Sequence, residues 1–444
     1  MLPNPMDARA LPVDATASAH DREATPPVRV VAADALRLQG AHSLGVRVAP
    51  ELAEAFLVKK RATAITRRAG DDAYGWLVSG QLPGDSRPRL IEIAAGGSAA
   101  MFQSLAAGAG DVGMASRRAT PAEVAQIATA GLGDIASPAH EHVLGVDGMP
   151  VIVHPTNPVS SLGVEDVARI FSGQVTAWAM LGKGEGRITL YARNERSSSF
   201  DVFKALVLRE LPLAPTAKRF VEAGALADAV TDDVHGIGFA SMSSMRRAKV
   251  VAVGGTGVPA IPPTALSVSA EEYPLSRRLY LYTTSATSNP LATEFVEFAL
   301  SPEGQKIIAA AGFVDLGVRV GGGRACDERC PPRYAALTER GRRLAPLFRF
   351  RPGTTEFDSR AQRDIDRVAD FVRRDSPSTV ALAGFSERVG LSVDRARKVA
   401  EELRARGIRV DAAEGFGGAV PLVSKDVSGA EERNERVEVW LASR

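Results

Sequence analysis

Aromatic residues are scarce in this 444-residue chain, at 6%. That scarcity counts against a nucleic-acid partner, which calls for stacking platforms and clustered basic surface. An excess of one charge is lacking as well, since the formal net charge is +2. Residues 331–444 hold 22 Lys and Arg against 18 Asp and Glu, leaving 32 against 34 for residues 1–330, so neither part is a polycation. No apolar run reaches the 18 residues or so that a membrane-spanning helix needs. Cysteine is almost absent: Cys326 and Cys330 are the two in the chain. They read either as free thiols or, in an oxidising compartment, as a small local disulfide; no second ligand pair stands nearby for a metal. The six His residues are scattered, and no cluster has metal-ligand spacing, so neither metal nor cofactor is expected. The stretch from Met1 to Val28 lacks the apolar core of a secretory signal, and residues 1–29 read as a disordered leader.

What is present is ordinary globular material, 45% apolar and 24% charged, in a chain long enough for two or three separately packed units. From Val30 to about Val320, β-like runs (Leu90 to Ile93, Val151 to Val153, Ile188 to Tyr191, Leu279 to Tyr282) alternate with helix-like stretches. This alternation predicts an α/β fold. Ser301-Pro302-Glu303 marks a helix start, and Val164, Val167, Ile170 and Phe171 share one helical face. Glycines 321 to 323 and Cys330-Pro331-Pro332 mark a junction, placing a linker at 321–345 between a domain at 30–320 and another at 346–444. Past the junction, the faces Ile365, Val368, Ala369, Val372 and Ala396, Val399, Ala400, Leu403, with strands at Val380 to Leu382 and Arg436 to Trp440, predict a small α+β unit.

The segment from Ile188 to Phe203 carries the clearest chemistry. A strand ending at Arg193 leads into Ser197, Ser198 and Ser199 and then into an apolar helix. Unpaired N–H groups at a helix start, hydroxyl donors and a planar guanidinium together suit a tetrahedral oxyanion. Taken alone, the segment reads equally well as a Ser-rich helix cap beside a surface arginine. It resembles, however, the Arg-x-x-x-Ser-Gly-Thr-x-x-x-Phe motif of PstS-type periplasmic phosphate-binding proteins, with Phe203 in register. Gly96-Gly97-Ser98-Ala99 resembles that family's second phosphate loop and Gly40 to Leu44 its first. Asp111 to Arg117, Asp147 to Val153, Asn157-Pro158-Val159, Ile170 to Gly173 with Trp178, and His235 to Phe239 follow in the same order.

The resemblance implies a two-lobed, type II periplasmic-binding-protein clamp with its ligand between the lobes. It assigns the phosphate contacts to Ser43, the Leu44 amide, Ser98, Ser116, Arg193, Ser197, the Ser198 amide and Ser199. Three departures stand out. Ser198 replaces a glycine, Ala99 replaces the last glycine of the second loop, and the acceptor carboxylate common near Ser116 is missing. That carboxylate would take a proton from phosphate and oppose fully ionised sulfate, so the ligand reads as phosphate with sulfate left open. Asp147 is the candidate substitute acceptor, with a turn residue as the other reading.

Residues from about Leu347 to Leu441 resemble the OmpA-like peptidoglycan-binding domain, through Gly384 to Gly390, Leu391-Ser392 with Arg395-Ala396, and Asn434 to Glu438. There the resemblance implies an acid and a base gripping the diaminopimelate of the wall, at Glu387 and Arg395, on a loop shortened by about seven residues. The serines near Arg193 have no general base close in sequence, so a binding protein is expected rather than an enzyme. The whole reads as an envelope protein of the periplasm, with cell-wall or outer-membrane association. Its expected partners are inorganic phosphate, peptidoglycan and an ABC permease, with no nucleic acid; sensing and storage stay open beside transport.

Overall fold

The structure, a computed structural model, describes residues 35–70, 75–195, 197–322, 330–374, 379–425, 427 and 429–442. The expected leader at 1–29 and Cys326 lie outside these residues.

The chain builds two lobes and returns to the first. Strands β1 (Leu36–Gly40), β2 (Thr63–Ala69), β3 (Trp76–Gln81), β4 (Arg89–Ala94), β5 (Val112–Ala115) and β6 (Glu141–Gly148) come first. Strands β7 (Val151–Val153), β8 (Ser161–Gly163), β9 (Thr189–Arg193), β10 (Lys218–Phe220), β11 (Gly236–Phe239), β12 (Lys249–Gly255) and β13 (Val258–Ile261) form the second lobe, and β14 (Ser276–Tyr282) rejoins the first. The first sheet has the order β2-β3-β4-β1-β5-β14-β6, and the second β10-β9-β11-β7-β12-β13, with β8 beside β12. Two crossings therefore join the lobes: Met149 and Pro150 between β6 and β7, and residues 262–275 ahead of β14. This is a mixed α/β, two-lobed clamp.

Local chemistry accounts for the elements. β1 alternates buried and half-buried positions, as a strand under a helical layer should. Ser301 caps the helix Pro302–Ala310, its Oγ accepting the Gly304 N–H at 3.3 Å, as its Ser-Pro-Glu start predicts. Val164, Val167, Ile170 and Phe171 line the buried face of the helix Val164–Phe171.

A third sheet, β15 (Arg319–Gly321), β16 (Gly341–Phe348), β17 (Thr379–Phe385), β18 (Val410–Gly415) and β19 (Arg436–Ala442), has the order β15-β16-β19-β17-β18. The helices Ala361–Arg374 and Val389–Ala405 pack on it, forming the expected α+β unit. Its edges depart from the reading at 321–345. β15 already pairs with β16, and the helix Pro332–Arg340 occupies the middle of the supposed linker. Nor is its core separate. Ala345, Leu347, Leu422 and Val423 belong to one buried cluster with Val268, Ala270 and Tyr273 of the crossing between the lobes. Breaker residues mark where a helix or strand stops, but not whether the units on either side share a core.

A buried ionic layer covers that seam. Glu271 receives Arg278 Nε at 2.8 Å, Arg349 Nε at 3.3 Å and Arg360 Nη1 at 2.7 Å. Arg278 also reaches Asp358 at 2.6 Å, Arg343 reaches Glu272 at 2.5 Å, and the Ser359 hydroxyl donates to Glu141 at 2.5 Å.

Candidate anion site and a second cavity

Four loops singled out in the sequence sit at the carboxyl ends of parallel strands. β1 runs parallel to β4 and β5, and β9 runs parallel to β10 and β11. Ser43 follows β1, Ser98 follows β4, Ser116 follows β5, and Ser197 to Ser199 follow β9. This is the end of an open parallel sheet at which ligands are held.

The first lobe knits its loops together through the backbone. The Ala41 N–H donates to Met114 O at 2.7 Å and the Gly97 N–H to Gly40 O at 2.8 Å. Gly40 has φ +145°, and a Cβ there would stand 1.9 Å from Met114 O, so glycine alone permits this approach. Ser98 opens the helix Ser98–Ala106, and its Oγ accepts the Ser116 N–H at 3.1 Å, drawing two predicted contacts together.

In the second lobe, Ser197 caps the helix Ser198–Phe203 by accepting the Ser199 N–H at 3.2 Å. Arg193 ends β9 and donates through Nη2 to Val221 O at 2.6 Å. The short helix His42–Gly45 touches the helix Ser198–Phe203, so the lobes meet here. On the two sides of this meeting, Ser43 Oγ and Arg193 Nε are buried without a hydrogen-bond partner. Each such group costs about 1–3 kcal/mol, more for the ionised one. Burial lowers the pKa of Arg193 below its ordinary value. Burial and then the Arg193 charge lower that of His42, with Asp201 opposing.

Alongside lies a cleft of about 560 Å³ whose wall includes Ser98, Ser116, Arg117, Asp201, Arg277 and Arg433. Two sequence assignments are corrected here. The Leu44 amide is spent on Ala41 O, at 3.1 Å, within its own helical turn. Asp147 lies buried on β6, 3.1 Å from Arg277, and is not on the cleft wall; burial raises its carboxyl pKa. Arg277 lies between Asp147 and the cleft.

Next to Ser116, where an acceptor was missing, stands Arg117, held by Glu123 at 2.7 Å and lying 5.4 Å from the Phe102 ring. The carboxylate that does line the cleft is Asp201, in the first turn after Ser197. Sequence reasoning passed over it because an acid in a first turn is an ordinary helix-start feature.

The predicted wall pair is not assembled. Arg395 is fully buried, bonded to Glu435 at 2.8 Å and to Thr354 O at 2.8 Å, and 4.8 Å from the Phe350 ring. Glu387 stays 68% exposed and pairs with Lys425 at 3.2 Å. A cavity of about 710 Å³ is lined instead by Glu387, Lys425, Glu435 and Arg436, with Thr256 and Val258 of the second lobe. The Asn-x-Arg signature proves architectural: Asn434 Oδ1 accepts the Leu422 and Val423 N–H groups, and Arg436 pairs with Glu438 at 2.6 Å. Cys330 is disulfide-bonded, and Cys326 lies outside the described residues. Among the described residues, no group of His, Cys, Asp and Glu could hold a metal ion, and no helix is long and apolar enough to cross a membrane.

Comparison with known proteins agrees with the two-lobed fold. Residues 85–303 match the model of the PBP superfamily domain. The Phosphate-binding protein PstS of Pseudomonas aeruginosa is 26% identical over 248 residues, which cover 52% of this chain and 75% of that protein. The protein of the same name from Bacillus subtilis is 27% identical over 229 residues, covering 51% and 71%. Among solved structures, a possible phosphate binding protein from Planctomyces limnophilus shares the fold at a TM-score of 0.50 and 21% identity, over 64% of this chain and 93% of that one. The two-lobed module of this chain is thus PstS-like, with residues 85–303 matching the PBP superfamily domain.

Proposed function

We propose that the two-lobed module binds inorganic phosphate in the bacterial envelope and presents it to a membrane permease of the ABC type. One observation carries this reading: Ser43 Oγ and Arg193 Nε, from opposite lobes, are buried and unpartnered where the lobes meet. An anion with several acceptor oxygens satisfies both at once, and a hinged clamp closes on it. Ser98, Ser116, Ser197, Ser199 and the Ser198 amide complete the contact set. Asp201, in place of Asp147, supplies the acceptor for the phosphate hydroxyl. Titration calorimetry on protein stripped of ligand tests this. Heat with phosphate that Arg193→Ala abolishes is expected; no heat with phosphate or sulfate refutes it.

The C-terminal unit we read as an OmpA-like module for cell-wall association. The order of its motifs and its α+β sheet support this, and so does the cavity that sets Glu387 and Lys425 beside Glu435 and Arg436. Acid and base together suit the zwitterionic peptide stem of peptidoglycan. Cosedimentation with purified sacculi is expected, and its reduction by the double variant Glu387→Ala and Lys425→Ala. Protein that stays in the supernatant removes the wall reading.

A further inference from the structure

The C-terminal unit reaches beyond its own cavity into the ligand cleft. Arg433, in the helix Ala430–Asn434, lines both that cleft and an adjoining chamber of about 170 Å³. Its guanidinium donates to two carbonyls at the end of the second crossing between the lobes, Tyr273 O at 3.3 Å and Pro274 O at 2.9 Å, and to Ser276 O, at the start of β14, at 2.5 Å. Arg349 adds a fourth such bond, to Ala270 O at 3.3 Å. No carboxylate of a described residue forms an ion pair with Arg433. Its charge is met at contact by carbonyl dipoles and from further off by Glu271 and Glu432, which leaves it open to an anion entering the cleft. The neighbouring Glu432 lines the same chamber, 60% exposed, 3.9 Å from Arg118 of the first lobe.

We propose that the C-terminal module is part of the clamp: Arg433 forms one wall of the anion cleft and fixes the crossing on which the lobes hinge where it enters β14. Anion affinity is thereby coupled to the docking of this module. A half-buried cation with no carboxylate in ion-pair contact attracts an anion at short range, and four bonds to the crossing and the first residue of β14 resist bending there. The coupling rests on the anion-binding reading of the cleft.

The test uses the full chain and calorimetric titration with inorganic phosphate at low and high salt. Arg433→Gln is expected to weaken binding about fivefold and to flatten its salt dependence. Arg433→Lys, which keeps the charge but not the fork to three carbonyls, should retain the salt dependence. Because Arg433→Gln loses buried bonds, Glu432→Gln serves as a second probe: an exposed change that removes a negative charge from the same wall should tighten binding. Wild-type affinity and salt dependence in both Arg433→Gln and Glu432→Gln overturn the proposal. Absence of phosphate binding by the wild type instead overturns the reading of the cleft.

Discussion

Replacing Glu271 by Gln is the sharpest test of how the three units hold together. Glu271 is buried and collects Arg278, Arg349 and Arg360 within 3.3 Å, so its single carboxylate serves two modules. It is also held at φ +57°, a left-handed backbone that costs a non-glycine residue roughly 1–2 kcal/mol. Gln keeps that backbone cost and most of the volume but removes the charge, leaving three guanidinium groups with too few anions. Breaking a buried ion pair on one side costs about 3–5 kcal/mol. At roughly 2 °C per kcal/mol, a large unit should lose about 6–10 °C in Tm.

The pH dependence gives a second signature. Burial alone would raise the Glu271 carboxyl, but the charges of Arg278, Arg349 and Arg360 outweigh it and hold the group far below the usual carboxylate range. A depressed folded pKa contributes stability above the unfolded value, near 4.5, and loses it as pH falls below that. The gap between wild type and Glu271→Gln should therefore be full at pH 7 and narrow progressively below about pH 4.5. Calorimetric melts across this range read both effects. A Tm within about 2 °C of wild type at pH 7 would refute the reasoning, since no buried triple ion pair fails to answer loss of its anion.

Three further outcomes follow from single residues. His142, buried beside Arg363, has its pKa lowered to about 4 by burial and then by that guanidinium. Its unfolded form binds a proton near pH 6.5, so stability should fall by about 3 kcal/mol between pH 6.5 and 4, and His142→Gln should remove that slope in acid denaturation. Gly40→Ala should fail to give soluble folded protein or lose anion binding outright, because its Cβ would strike Met114 O; a folded variant with wild-type affinity contradicts the loop geometry. Asp201→Asn should bring phosphate and sulfate affinities closer together, by about tenfold or more in calorimetry, because a neutral amide no longer opposes full ionisation. An unchanged ratio would remove Asp201 as acceptor.

The sequence by itself determined what depends on near neighbours. Ser301 announces its helix because a cap and its recipient amide are three residues apart. β9 and the serines after it are legible because strand, turn and helix follow one another in the chain. The anion loops fall at strand ends for the same reason, and their order carried the resemblance to PstS-type proteins. Tertiary structure decided everything that rests on a distant partner. Arg395 was read as the base that grips the wall peptide, but Glu435, forty positions on, takes it into the core. Asp147 was read as an acceptor, but β14 brings Arg277 against it from 130 positions away. Arg433 and Glu271 gave no signal, since each draws its meaning from segments that meet only when the C-terminal sheet docks on the crossing between the lobes. A buried charge takes its role from the groups that neutralise it, and those groups are chosen by the fold rather than by adjacency.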